Sequence, residues 1–442
     1  MLPEKGLSRE EIRAIMVEKK KGDARWRDGR VFSLVYHYSD ELDEIAHEAH
    51  GLYFHENALN PMAFPALREY EAEVVSMAVD LFGGDRRCVG TMTTGGTESI
   101  LMAVKTYRDW ARATKQDVKK PEMVIPETAH AAFRKASHYF DVRIVYAPVD
   151  PRTYKVDLEA VNAALSDQTI LLVGSAFNYP KGTMDPIPEL AEIAKERKIG
   201  MHVDACLGGF ILPFLPELGQ EVPPWDFSVP GVTSLSADIH KYGYASKGAS
   251  LVLYRNQRFL RHQFFAETDW SGGIYVSPSM SGTRRGGCIA EAWAVMKAMG
   301  RAGYRDAAAK IKAASDKLKE GINAIPELHV MGEPEGTVFG FTSETLDPFV
   351  IGEILEEKGW HVNFLQNPPG LHLMVVSSKH LEVADDFLAD LRAAVDHVKA
   401  HPEAKPKGNA AVYGMAASLP QEERGQLKRV ALGFLADLYR TD

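Results

Sequence analysis

The chain has 442 residues, 45% of them hydrophobic and 25% charged, and a formal net charge of -9; this is the make-up of an ordinary globular protein large enough for more than one core. That balance gives no long-range attraction to nucleic acid or an anionic membrane, so an anionic ligand needs a local cationic pocket. No apolar run is long enough to span a bilayer and no signal-peptide core is present, while Cys88, Cys206 and Cys288 form neither a disulfide framework nor a zinc pattern, which points to a reducing cytoplasm.

In chain order, Ser8 and Glu11 make a capping box that opens a helix through Ile12, Ile15 and Met16. His47-Glu48-Ala49-His50 is one residue short of a zinc-binding HExxH and reads as a helix surface with no metal. An Asn/Pro-punctuated loop covers 57–65, and a helix stops at Gly83-Gly84. Short β-branched runs then alternate with helical stretches: RRCVGTM, EMVIP, RIVYAP, TILLVGSAF, GMHVDA, VTSLSA and ASLVLY. Strands of that kind predict an α/β domain with a mostly parallel sheet, expected over 76–320. A long helix over about 290–323 leads to a smaller α+β domain over 321–442, and residues 1–75 form an N-terminal segment. After a loop at 401–410, the amphipathic KRVALGFLADLYR predicts a helix packed on the protein.

Four features fall at the ends of predicted strands, where ligands sit in open α/β sheets. Thr93 to Thr97 is a glycine turn into a helix, and the N–H groups of Gly96 and Thr97 make an anion site there. It is not a nucleotide P-loop, because Gly95 is followed by Gly96-Thr97 and not by Lys-Ser/Thr. Asp204 ends an apolar strand, where a carboxylate needs a cationic partner such as a protonated pyridine nitrogen. Lys241 follows the polar run Ser236, Asp238, His240; burial there would lower its pKa and free an amine for imine chemistry. His130, after EMVIP, can stack on a planar ring. Each has a plainer alternative: a packing turn, a capping aspartate, a surface lysine and an N-cap histidine.

Together these residues, with the strings TTGGTESILMAVKTYRD, HVDACLGGFILPF, SADIHKYGYASKG, GGIYVSPSMSGTRRGG and KGWHVNFLQNPPGLHLMV, resemble the group II decarboxylase superfamily of fold-type-I pyridoxal-5′-phosphate (PLP) enzymes. Within it the similarity is to the sphingosine-1-phosphate lyases. The resemblance implies an aspartate-aminotransferase-like large domain and PLP as cofactor. Lys241 would carry the cofactor covalently, Asp204 would face its ring nitrogen and His130 its ring. Gly96, Thr97 and His240 would hold its phosphate. Gly282 and Thr283 would reach the phosphate in a neighbouring subunit, implying a homodimer. Tyr36, Tyr179 and Lys247 would clamp the phosphate of a phosphorylated sphingoid base, whereas Lys181 reads as a solvated surface residue. Carbon–carbon cleavage at C2–C3 is the expected reaction. The alternative is decarboxylation of an amino acid.

Overall fold

The structure is a computed structural model that describes residues 2–60, 62–418 and 424–440; Pro61 of the expected Asn/Pro loop and residues 419–423 of the expected helical tail lie outside them. Strands β1 (Val89–Thr93), β2 (Glu122–Pro126), β3 (Arg143–Ala147), β4 (Thr169–Ser175), β5 (Gly200–Asp204), β6 (Ser234–Ala237) and β7 (Ser250–Tyr254) form one sheet in the order β1-β7-β6-β5-β4-β2-β3. Its register sets Ser175 beside Asp204 and Asp204 beside Ser236. Six strands share a direction. The exception is β7, antiparallel to both β1 and β6, so the mostly parallel α/β expectation holds.

Alternation along the strands feeds two apolar layers. On β4, Leu172 joins one core with Val203 and Leu235, while Leu171 and Val173 join the other with Ile100, Val104 and Tyr107. Helix α1 (Arg9–Lys20) buries no residue and stands apart from the core. The helices that supply the faces are α2 (Asp40–Leu52), α3 (Pro65–Leu81), α4 (Gly96–Thr114), α5 (Ala132–Phe140), α6 (Leu158–Ala164), α7 (Ile187–Glu196) and the short α8 (Gln257–Leu260). The capping box forms as expected: Ser8 Oγ accepts from Glu11 N and the Glu11 carboxylate accepts from Ser8 N.

A hairpin, β8 (Phe265–Glu267) and β9 (Tyr275–Ser277), projects from the sheet before α9 (Gly286–Asn323). Helix α9 kinks at Gly300, whose φ of 52° lies in the left-handed region that glycine tolerates. It runs unbroken across residue 320, so a helix and not a linker leads into the second sheet. That antiparallel sheet has β10 (His329–Val330), β11 (Val338–Thr342), β12 (Asn363–Gln366) and β13 (Pro369–Met374) in the order β10-β11-β13-β12. Helices α10 (Pro348–Glu357), α11 (Lys379–Ala400), α12 (Gly408–Ser418) and α13 (Arg424–Leu438) complete the chain.

The N-terminal segment is tied to this second sheet. Val31 bridges His361, His37 bridges Ser377, and buried Phe32 packs on Trp360, His380 and Phe387. This brings Ser33 to Tyr36 back towards the large sheet. One expectation fails at the C-terminus: among the described residues of α13, Val430, Leu432, Phe434, Leu435 and Leu438 are all exposed and not packed into the core. Among the described residues no helix is long and apolar enough to cross a membrane.

Candidate active site

The carboxyl ends of β1, β2, β4, β5 and β6 open on one edge of the sheet. Because β7 runs the other way, the loop preceding it, with Lys247, arrives at that same edge. A cavity of about 510 Å³ lies there, lined among others by Tyr36, Gly96, Thr97, His130, Tyr179, Asp204, His240, Lys241 and Lys247. Nine of the residues singled out from the sequence thus meet in one place, within the size range of small-molecule sites.

The β1–α4 turn supplies the anion end. Gly96 and Thr97 start α4, so their N–H groups have no carbonyl one turn back. A side chain at Gly96 would collide with the Asp238 carboxylate at 2.7 Å and Cys206 Sγ at 2.9 Å. Glycine is therefore what lets the turn approach β6. Buried Glu98 fixes the turn: it accepts from Thr94 N (2.7 Å), Thr94 Oγ1 (2.6 Å) and, across the site, Met280 N (2.9 Å).

The other end is polar and largely buried. Asp204 accepts from Cys206 N at 3.1 Å and from Ser236 Oγ at 3.4 Å. His202 stands beneath, bonded through Nδ1 to Ser234 Oγ (2.8 Å) and through Nε2 to Ser236 Oγ (3.2 Å). Burial lowers its pKa to about 4, so a neutral ring supports the serines that orient Asp204. Lys241 Nζ lies 2.9 Å from Asp238 Oδ2, and His240 Nε2 lies 3.5 Å from the same oxygen. His240 Nδ1 accepts from Gly248 N and Ala249 N, at 3.3 Å each, which turns Nε2 towards the cavity.

One expectation about Lys241 is overturned. Burial does act to lower its pKa, but the Asp238 carboxylate, with help from Cys206 and Asp204, outweighs it and holds the amine as an ammonium. Asp238 in turn is kept well below the ordinary carboxylate range: burial opposes this, and the Lys241 cation, His240 and Ser250 prevail.

Tyr36, Tyr179 and Lys247 gather on the opposite wall. Lys247 Nζ lies 4.7 Å from the centre of the Tyr36 ring and donates to the His240 carbonyl at 2.9 Å. Desolvation, then the nearby Lys241 cation, push its pKa down to about 8. Tyr36 Oη is buried without a hydrogen-bond partner among the described residues. The Tyr179 ring stands 6.2 Å from that of His130, whose Nδ1 accepts from Ala132 N at 3.2 Å and so also opens α5. Thr283 does not line this cavity. It lines an adjoining one of about 500 Å³ together with Lys247, Arg285 and Cys288, while Gly282 lies against Tyr275 Oη.

The structure adds residues that the sequence did not flag. Glu291 on α9 accepts from Ser246 N (2.6 Å) and Ser246 Oγ (2.7 Å), anchoring the loop that carries Lys247, and pairs with His50 Nδ1 at 3.0 Å. His50 is thus a buried-network partner and not plain helix surface. Lys181 is a second correction: it is only 6% exposed, donates to the Asn367 carbonyl at 3.3 Å and lies over the Tyr154 ring. The bend after Phe177 turns its stem inward.

Comparison with known proteins gives three concordant findings. Residues 18–343 match the pyridoxal-dependent decarboxylase conserved domain. A sphingosine-1-phosphate lyase of Arabidopsis thaliana is 43% identical over 99% of this chain and 81% of its own length. A solved sphingosine-1-phosphate lyase from Burkholderia pseudomallei superposes with a TM-score of 0.86 at 41% identity, covering 91% of this chain and 94% of that one. Lactobacillus brevis glutamate decarboxylase shares the fold, with a TM-score of 0.77 at 21% identity over 90% and 94% of the two chains.

Proposed function

The chain belongs to the sphingosine-1-phosphate lyases of the pyridoxal-dependent decarboxylase family, and from that premise and the cavity around Lys241 we infer that it cleaves phosphorylated sphingoid bases at C2–C3. The products are a long-chain aldehyde and phosphoethanolamine. It is a carbon–carbon lyase that depends on PLP.

The cavity suits that cofactor. It offers Lys241, the oriented Asp204 carboxylate and a helix N-terminus, and Gly96 stands where any side chain would close the approach to Asp238. Lys241 is the residue to carry it, with Asp204 at the ring nitrogen, His130 at the ring face, and Gly96, Thr97 and His240 at its phosphate. When bound, the cofactor supplies an electron sink for the pair released as C2–C3 breaks.

The remaining work falls to this chain's own side chains. Lys247, Tyr36 and Tyr179 take the substrate phosphate: one cation and two phenols supply donors with little competing negative charge. The buried Tyr36 Oη, which has no hydrogen-bond partner among the described residues, is the observation that carries this assignment. Asp238, 2.9 Å from Lys241 Nζ, would hold that nitrogen in place and favour its protonated form whenever the lysine is free of the cofactor.

A homodimer belongs to the same inference. Its support is the position of Thr283 outside the Lys241 cavity and the exposed apolar strip Phe264, Phe265, Trp270, Ile274, Val276 and Met280 on and around the β8–β9 hairpin. A cytoplasmic setting rests on three separate free cysteines. The direct test is product analysis with dihydrosphingosine-1-phosphate. Aldehyde and phosphoethanolamine in equal amounts are expected; carbon dioxide from glutamate or an aromatic amino acid, with no aldehyde, would establish the decarboxylase instead.

A further inference from the structure

Tyr179 lines the cavity, and His372, on β13, stands behind it without lining the cavity. Tyr179 Oη and His372 Nε2 are 3.1 Å apart, and the rings meet edge to face with centroids 5.0 Å apart. His372 is 1% exposed, and its other nitrogen, Nδ1, is buried with no hydrogen-bond partner among the described residues. Asn363 Nδ2 reaches the His372 carbonyl at 3.4 Å and the Phe32 carbonyl at 3.1 Å, which ties the strand to the N-terminal segment.

These contacts decide where the imidazole proton sits. The ring is neutral: burial, then the Lys181 ammonium nearby, lower its pKa to about 3. A neutral imidazole has one N–H and one bare nitrogen. With the proton on Nδ1, a buried donor would face no acceptor among the described residues. With the proton on Nε2, only an acceptor lone pair goes unused, and buried orphan donors are the rarer and costlier of the two. The proton therefore belongs on Nε2, which donates to Tyr179 Oη. The phenol cannot send its own proton back along that line, so its O–H turns towards the cavity that Tyr179 lines with Tyr36 and Lys247.

We propose that His372 is a positioning residue that sets Tyr179 as a hydrogen-bond donor to the substrate phosphate. A phosphate dianion only accepts hydrogen bonds, so a phenol locked as donor favours it over a hydroxyl headgroup. The proposal rests on the assignment of Tyr179 to the phosphate clamp.

The test is steady-state kinetics of the holoenzyme with dihydrosphingosine-1-phosphate. His372→Leu is expected to raise KM about ten-fold while kcat stays within about two-fold. His372→Gln, whose amide can donate from the Nε2 position, recovers most of the loss. In a Tyr179→Phe background His372→Leu adds nothing further. Neutron diffraction from the deuterated wild-type holoenzyme reads the tautomer directly and does not depend on how a variant folds. Deuterium on Nε2 is expected; deuterium on Nδ1 overturns the proposal. An unchanged KM in folded His372→Leu, with a raised KM in Tyr179→Phe, sinks this inference alone. An unchanged KM in Tyr179→Phe sinks the clamp assignment and this inference with it.

Discussion

Lys247 sits close enough to Lys241 for the two cations to compete, and its pKa of about 8 has a kinetic consequence. Below that value Lys247 is an ammonium and can pair with phosphate; above it the charge is lost. The second phosphate ionisation of the substrate lies near about pH 6, so kcat/KM should rise through that region and fall again above pH 8. Lys247→Ala should remove the alkaline limb and raise KM by about ten-fold or more, the scale of a charge-assisted hydrogen bond. A pH profile of kcat/KM for the two proteins checks both outcomes. At this scale the sequence was informative about identity and less so about environment. Lys241, Asp204 and His130 stood out as strand-end residues, yet the Asp238 contact that keeps Lys241 charged depends on how the turn after β6 folds back. Lys181 misled for the same reason, since nothing local shows a lysine to be covered by Asn367 and Tyr154 from distant segments.

Elements position these side chains through buried carboxylates on their neighbours. Glu291 on α9 holds Ser246, so Glu291→Ala should loosen the Lys247 loop: KM for the phosphate substrate rises several-fold with kcat little changed, and aldehyde-release kinetics would show it. Asp185 does the equivalent task under the Phe177–Tyr179 bend, accepting from Ser175 N (2.8 Å) and Val156 N (3.1 Å). Burial raises its pKa from the ordinary 3.8 to about 7, against the pull of those N–H groups. A carboxyl raised in the folded state stabilises the fold at low pH, and that contribution fades as pH climbs through about 7. Thermal unfolding followed from pH 5 to 8 should therefore show a Tm decline in the wild type that is smaller in Asp185→Asn, whatever the variant's overall loss. The strands and α4 were legible because β-branched runs and a glycine turn announce themselves locally. The reversed direction of β7 was not, since no residue within Ser250–Tyr254 encodes which neighbour it joins; that reversal is what delivers Lys247 to the site edge.

For the molecule as a whole, the unsatisfied surfaces are as informative as the cores. The exposed apolar side chains on and around the β8–β9 hairpin, and those on α1 and α13, are the candidate surfaces for a second copy of the chain. Sedimentation equilibrium should give about twice the 48.9 kDa chain mass, and charged substitutions at Phe265 and Ile274 should shift it towards one chain. The α13 expectation failed because amphipathic patterning tells that a face will be covered without telling by what. Everything proposed for the site depends on which lysine holds the cofactor. Borohydride reduction of the PLP-loaded protein, followed by peptide mapping, addresses that without any variant: the account requires the label on Lys241, and its appearance on Lys247, on Lys181 or on no lysine would contradict it.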